Sequence, residues 1–203
     1  MIISGLNGLV LSGGRSSRMG RDKAFLRYKG CPQVEVCFDL LKEYCQEVFV
    51  SKRADQDLTA FGARKLLFID DVLEDAGPLG GIFSAMQKYP ESAWLVVACD
   101  LPYIEKETLD HLIRHRDRSK MATAFCSVHD QRPEPLCAIY EPAIGPAVCR
   151  TVLGGHRCPR KILIDSDILL LDSSHPLWLE NINTTQDYLS ASAYFSREER
   201  TGA

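Results

Sequence analysis

Trp94-Leu-Val-Val-Ala-Cys99 is an uninterrupted apolar run, and Asp100 follows it directly. A strand without alternating polar residues is typical of the centre of a parallel sheet, where helices cover both faces. The apolar stretch, which starts at Ala93, is far too short to span a bilayer. We therefore expect a central, fully buried strand with Asp100 just beyond its carboxyl end.

Around this run, short apolar segments alternate with amphipathic segments along the whole chain. Alternating strands and helices indicate βαβ units, so the sequence predicts an α/β fold: one domain with a doubly wound, mostly parallel sheet. The domain is expected over residues 1–195, with a polar, disordered tail over 196–203. The expected strands are 8–12, 47–51, 65–69, 94–99, 122–127, 136–140 and 168–171. The expected helices are 33–45, 79–88, 105–116, 141–153 and 185–194.

Composition narrows the class of protein further. The 203 residues are 45% apolar and 25% charged, which is ordinary globular usage. The net charge of −3 argues against a general nucleic-acid binder. The first residues lack the pattern of a secretory signal, so a cytoplasmic protein is expected, with the eight cysteines as reduced thiols that are mostly buried.

A glycine-rich, basic loop follows the first predicted strand: Leu11-Ser-Gly-Gly-Arg-Ser-Ser-Arg-Met-Gly-Arg-Asp-Lys23. It matches neither the Walker A pattern nor the dinucleotide fingerprint. Adjacent Gly13 and Gly14 allow a turn whose N–H groups point at a ligand. Arg15, Arg18 and Lys23 can offset phosphate charge. The loop thus favours a phosphate site over a merely solvated charged loop.

Three polar features fall at the carboxyl ends of predicted strands, where ligands bind in open α/β sheets. These are the glycine loop, the pair Asp70-Asp71 and Asp100. A lone carboxylate after a buried strand is costly unless it is paired or binds a metal. A turn or helix-cap role for each aspartate remains the alternative.

The loop resembles the LAGGxSxRMGxDKA signature of the molybdenum cofactor guanylyltransferases (the MobA family), within the wider group of nucleotidyltransferases with a Rossmann-like fold. Ser12 departs from this signature, which has alanine there, and Ser51 stands where some members have a nucleotide-contacting asparagine. The similarity continues through Asp71 and the four further segments Gly77-Pro-Leu-Gly-Gly-Ile82, Cys99-Asp-Leu-Pro-Tyr-Ile104, Arg132-Pro-Glu-Pro-Leu-Cys-Ala-Ile-Tyr140 and Asn181-Ile-Asn-Thr184.

The resemblance implies roles for individual residues. Lys23, Arg18 and Asp100 would be catalytic, and Asp100 would bind Mg²⁺. Asn181 and Asn183 would face the acceptor side; a turn before the last helix, with Asn183 as its cap, is the alternative. The implied nucleotide-binding residues are Leu11, Ser12, Gly13, Gly14, Lys23, Asp71, Gly77, Pro78, Leu79, Gly80 and Asp100.

The function implied is transfer of GMP from GTP to the terminal phosphate of Mo-molybdopterin, with release of pyrophosphate. Molybdenum-cofactor maturation proteins or apo-molybdoenzymes are expected partners; nucleic acid and membrane are not. Three alternatives stay open: CTP with the same acceptor or a sugar phosphate acceptor, a non-catalytic nucleotide-binding chaperone of molybdoenzymes, and a scaffold protein. His111 and His115 have metal-compatible spacing, but without an accompanying HExxH glutamate they indicate a solvated helix face.

Overall fold

The computed structural model describes residues 2–12, 23–28, 30–58, 61, 66–73, 75–173 and 175–201. Within these ranges the chain forms one sheet of seven strands and six α-helices. The strands are β1 Leu6–Leu11, β2 Val48–Lys52, β3 Leu67–Asp70, β4 Ala93–Ala98, β5 Ala122–Cys126, β6 Pro133–Tyr140 and β7 Ile168–Asp172. The helices are α1 Gln33–Lys42, α2 Pro78–Lys88, α3 Lys106–Arg114, α4 Gly145–Leu153, α5 Pro159–Ile164 and α6 Thr185–Thr201.

The strand order is β3-β2-β1-β4-β6-β5-β7. The pairs β3–β2, β2–β1, β1–β4 and β5–β7 are parallel, whereas β6 runs antiparallel to both of its neighbours. The predicted α/β fold with a mostly parallel sheet is confirmed. The chain winds outward from β1 to β3 and then crosses back to β4, so the topological switch point lies between β1 and β4.

The two strands at the switch point are buried along their whole length. Their register pairs Leu11 with Ala98, so both strands end together at one edge of the sheet. Trp94 has no exposed surface, as the apolar run predicted. Because β6 is antiparallel, the start of β6 lies at this same edge, with Cys137 opposite Val97.

Helix α2 approaches the sheet closely because it carries glycine at the contact. A Cβ atom added to Gly81 would lie 2.8 Å from Cδ2 of Leu11 and 2.9 Å from Cβ of Ser51. Distances this short are not found between real Cβ atoms and their neighbours, so any side chain at Gly81 would push the helix away from β1 and β2. Gly81 therefore fixes how near α2 lies to the switch point.

A second, smaller apolar cluster attaches the last helix to the segment after the glycine loop. Its buried members are Leu26, Tyr28, Ile182, Ala191 and Phe195. Phe195 is 1% exposed, and its ring lies against those of Tyr28 and Tyr103. This packing holds the segment before α6 close to Lys23.

Three features of the secondary structure differ from what the sequence led us to expect. A polar tail was expected from Ser196, whereas α6 continues to Thr201, because buried Phe195 anchors the helix in the second apolar cluster. Helix α5 was not predicted, because it is only six residues long. The predicted helix over 141–153 is divided into a 3-10 turn at Pro142–Ile144 and α4.

All eight cysteines are free thiols; Cys37, Cys45, Cys99 and Cys137 are buried and the other four are not. The expectation that most would be buried holds for half of them. In the part of the chain that the structure describes, no helix is long and apolar enough to cross a membrane.

Candidate functional site

A pocket opens at the carboxyl edge of the sheet, at the switch point between β1 and β4. It brings together six residues predicted from the sequence: Leu11, Lys23, Asp71, Gly77, Pro78 and Asp100. Its remaining lining residues are Ser51, Ala98, Cys99 and Leu136. These four residues were not predicted from the sequence as site residues. Leu136 reaches it only because β6 is antiparallel, a feature for which the sequence carries no local signal.

Lys23 and Asp100 form an ion pair inside this pocket. Nζ of Lys23 lies 3.0 Å from Oδ2 of Asp100, and their side chains are 12% and 19% exposed. The same ammonium group donates a hydrogen bond of 2.8 Å to Oδ1 of Asn183. Three separate regions of the chain thus meet at one cation.

The other carboxylate oxygen of Asp100 has a different environment. Oδ1 of Asp100 is buried, and no described residue donates a hydrogen bond to it. A buried acceptor without a partner is unfavourable unless a ligand or ion completes it. The main chain of Asp100 is fixed from the other side, because N–H of Ile182 donates to its carbonyl oxygen at 2.9 Å.

The oxygen atoms around Lys23 suit a hard divalent cation. Oδ2 of Asp100 and Oδ1 of Asn183 both lie within hydrogen-bonding distance of one point, which Nζ of Lys23 occupies. Among the described residues there is no group of three or more His, Cys, Asp or Glu side chains that could hold a metal. A metal here would take few protein ligands and use phosphate oxygens and water for the rest, as Mg²⁺ does.

The neighbouring aspartates Asp70 and Asp71 have opposite environments. Asp71 lines the pocket and accepts a hydrogen bond of 2.6 Å from Oγ of Ser51. Burial raises the pKa of Asp71 to about 6, although the Ser51 hydrogen bond and the charge of Arg53 oppose the rise. Asp70 points outward and pairs with Lys52, its side chain 68% exposed. The geometry therefore separates the two carboxylates that the sequence left as competitors.

The segment Gly77-Pro-Leu-Gly-Gly81 contributes to the site in two ways. Gly77 adopts a positive φ of 58° immediately before α2, which a side chain would strain. Together with Pro78 it lines the pocket. Leu79 does not: it has no exposed surface and belongs to the core. Gly80 is buried beside Asp71, since a Cβ added there would lie 3.6 Å from its Oδ2.

Ser12 is also buried and does not line the pocket. Its Oγ donates to the carbonyl oxygen of Ser51 at 2.7 Å, so it ties the end of β1 to β2. Gly13, Gly14 and Arg18 lie outside the described residues, as do Arg15 and Arg21.

Asn181 and Asn183 stand in the segment that leads into α6. Asn183 faces Lys23, as described above. It does not cap the helix: Thr184 does, because Oγ1 of Thr184 accepts from the N–H of Asp187 while Asp187 accepts from the N–H of Thr184. The capping alternative for Asn183 is therefore wrong. Asn181 lines a separate cavity, with its Oδ1 buried.

His111 and His115 do lie on α3 with their rings 4.5 Å apart, and His111 also packs near Phe125 and Trp178. His115 is exposed, and His111 is half-buried. Burial lowers the pKa of His111, and the nearby charges of His115 and Arg114 add to the effect. The face is thus partly aromatic rather than fully solvated.

Comparison of this chain with known proteins finds relatives with similar sequences. A 38% identical relative is the "Molybdenum cofactor biosynthesis bifunctional protein" of Synechocystis; the match covers 90% of this chain and 52% of that protein. A "Probable molybdenum cofactor guanylyltransferase" of Clostridium perfringens is 35% identical over 65% of this chain and 64% of its own length. The chain thus spans about half to two thirds of the length of these relatives.

A solved structure shares the fold. It is that of the molybdopterin-guanine dinucleotide biosynthesis protein A from Archaeoglobus fulgidus, with a TM-score of 0.76 and 23% identity over 94% of this chain and 99% of that one. The family model described as the MobA-like NTP transferase domain matches residues 8–167, which include most of β1, all of β2 to β6, Lys23, Asp71 and Asp100. On this match, the chain belongs to the family of MobA-like NTP transferase domains.

Proposed function

We propose that this chain transfers GMP from GTP to the terminal phosphate of Mo-molybdopterin, giving the guanine dinucleotide form of the cofactor and pyrophosphate. Family membership and the names of the relatives support the reaction. The observation that carries the proposal is the contact of Lys23 with Asp100 and Asn183 in a pocket at the switch point. The acceptor and partners (maturation proteins or apo-molybdoenzymes) and a cytoplasmic location belong to the same proposal.

The chemistry needs no strong general base, because the attacking phosphate oxygen is already an anion. The main obstacle is the approach of two polyanions, so positioning and charge neutralisation must supply most of the rate acceleration. Lys23 provides a cation at the carboxyl edge of β1 and β4. We assign Lys23 to the β- and γ-phosphates and the departing pyrophosphate. Arg18, Gly13 and Gly14 lie outside the described residues, and we propose for them the phosphate-binding roles expected from the sequence.

Asp100 and Asn183 would hold a divalent cation, which we propose to be Mg²⁺. When bound, Mg²⁺ would neutralise charge on the α-phosphate region. The unpartnered Oδ1 of Asp100 supports this assignment, since a cation would complete it. Lys23 would then turn from the carboxylate to the phosphates, which are stronger partners for a mobile ammonium group.

The base would lie between Gly77 and Asp71. The absence of a side chain at Gly77 leaves room for a purine against the main chain, and the carboxylate of Asp71 accepts hydrogen bonds. Because an ionised carboxylate is an acceptor only, it suits the N–H edge of guanine better than the corresponding edge of uracil or cytosine. These features support GTP as the donor.

The decisive experiment is a thermal-shift panel of GTP, CTP, ATP, UTP and dTTP with Mg²⁺, followed by a pyrophosphate-release assay with Mo-molybdopterin. A ligand that binds only the folded state raises its stability by mass action. We expect GTP to stabilise most and to support release. A preference for CTP, release with a sugar phosphate, or binding without release would each replace the proposed reaction by one of the three alternatives.

A further inference from the structure

A second cavity lies next to the nucleotide pocket and is formed by different elements. Asn183 connects the two: it lines the second cavity, and its Oδ1 accepts a hydrogen bond from Lys23, which lines the first. The other walls come from the loop after β5, the start of β6, helix α5 and the segment after β7. An acceptor whose terminal phosphate approached the nucleotide pocket past Asn183 would extend into this space.

The charge of the second cavity is unusual for a neighbour of a phosphate site. The carboxylates of Asp130, Glu134 and Glu180 line it, and Arg160 contributes one full positive charge. Nη1 of Arg160 lies 2.9 Å from Oδ2 of Asp130, and its Nη2 lies 3.0 Å from Oε2 of Glu134. The three carboxylates outnumber Arg160 and the His129 ring, which lies 2.7 Å from Glu180, so the wall is net negative. It repels phosphate and favours a group that donates hydrogen bonds.

Glu134 differs from the other two carboxylates in its burial. Its side chain is 6% exposed, whereas those of Asp130 and Glu180 are 40% and 37% exposed. Arg160 holds its Oε2, and the N–H of Leu136 approaches its Oε1 at 3.4 Å. A carboxylate has about four lone-pair sites, so acceptor capacity remains for a ligand. In a buried site, a hydrogen bond of this kind discriminates strongly.

Asn181 supplies an independent sign of a donor-rich ligand. Its side chain lines the same cavity, and its Oδ1 is buried without a hydrogen-bond donor among the residues that the structure describes. A buried acceptor of this kind costs free energy until a donor reaches it. The remaining acceptor capacity of Glu134 and the unpartnered Oδ1 of Asn181 thus both favour a ligand that carries N–H groups.

We propose that the second cavity binds the pterin ring of the acceptor and that Glu134 accepts a hydrogen bond from its 2-amino group. Arg160 is the positioning residue that fixes the carboxylate. The inference rests on the proposed function for the identity of the acceptor. Guanine carries a similar donor edge, so the test must separate pterin in the second cavity from guanine there.

The test uses the full chain and two fluorescent, phosphate-free ligands, pterin and lumazine. Lumazine has an oxo group where pterin has the 2-amino group. We expect pterin to bind about tenfold more tightly than lumazine, since a site built to accept an N–H rejects the analogue without it. Equal binding of the two ligands, or no measurable pterin binding, would overturn the inference.

Variants then locate the contact. Glu134→Gln should abolish the preference for pterin and leave stabilisation by GTP unchanged. Asp130→Asn removes an exposed carboxylate from the same arginine and should keep the preference. Loss of the preference in Asp130→Asn would show that net charge is responsible, and loss of GTP stabilisation in Glu134→Gln would place guanine in the cavity. Should Glu134→Gln not fold, Glu134→Asp, which keeps the charge and withdraws the carboxylate, carries the same test.

The inference and the proposed function fail separately. Pterin preference together with absent GTP-dependent pyrophosphate release would overturn the reaction and keep the pterin site. Normal release with no discrimination between pterin and lumazine, or with the preference intact in Glu134→Gln, would keep the reaction and remove Glu134 from acceptor recognition.

Discussion

Nζ of Lys23 lies 3.0 Å from Oδ2 of Asp100, although 77 residues separate them in the chain. The carboxyl ends of β1 and β4 are adjacent in the sheet, so the loop that leads from β1 to Lys23 starts at the edge where Asp100 follows β4. Asp100 neutralises Lys23, and the ion pair keeps the ammonium group inside the pocket. The ion pair thus holds together the ammonium and carboxylate groups to which we assign roles in the proposed reaction.

Replacing the lysine tests its phosphate role. Lys23→Ala should lower turnover by about a hundredfold, because it removes a preorganised cation from developing charge. Pyrophosphate release with GTP and Mo-molybdopterin measures the effect. Lys120→Ala is the matched control, since Lys120 pairs with Asp167 at the surface and outside the pocket. Turnover within a few-fold of the unmodified protein in Lys23→Ala would remove Lys23 from the chemistry.

Asp100→Asn tests the metal assignment. The change keeps the shape of the side chain and removes its charge, so turnover should fall by about a hundredfold, the scale for losing one transition-state electrostatic contact. The additional stabilisation that Mg²⁺ confers on the GTP complex should disappear in thermal unfolding. Asp167→Asn, at an exposed ion pair, should retain both. An Asp100→Asn protein that still responds to Mg²⁺ would assign the metal to other ligands.

Asp71 should make the free energy of unfolding fall as pH rises, which is opposite to the usual effect of a carboxylate. Its pKa is raised from 3.8 to about 6, so the folded chain binds a proton more tightly than the unfolded chain. The stabilisation is complete below about pH 4 and is lost as pH rises through about 6. Asp71→Asn should therefore gain stability relative to the unmodified protein as pH increases across that window.

Thermal unfolding at several pH values, with Asp70→Asn in parallel, checks this expectation. Asp70 is exposed beside Lys52, so its variant should not reproduce the trend. A difference in melting temperature between Asp71→Asn and the unmodified protein that does not change with pH would contradict the buried carboxylate.

The contact of α2 with the sheet predicts a steric effect. Gly81→Ala should destabilise the fold by about 1–3 kcal/mol, since the new methyl group would overlap Leu11 and Ser51. Gly145→Ala is the control: it also lies in a helix, and the nearest atom to its added Cβ, Cε of Met86, is 3.9 Å away. Urea unfolding should separate the two variants; equal stability would show that α2 can move aside at no cost.

The local pattern of the sequence was sufficient for most of the fold. Unbroken apolar runs such as Trp94 to Cys99 predicted buried strands, and helical spacing predicted α1 to α4 and α6 near their observed positions. Short α5 and the continuation of α6 beyond Ser196 were missed. Their stability comes from tertiary contacts, such as the burial of Phe195, and not from a strong local pattern.

By itself, the sequence determined which polar residues come after the strands of the sheet: Asp71 and Asp100 stand at strand ends, Lys23 ends the glycine-rich loop after β1, and parallel strands end at one edge. Only the tertiary structure decided which partners they meet. Asn183 reaches Lys23 from 160 residues away, and Leu136 enters the pocket because β6 runs antiparallel. Glu134 and Asn181 likewise face a common cavity only in the folded chain. Contacts between distant segments depend on how helices and strands pack, and not on the local order of residues.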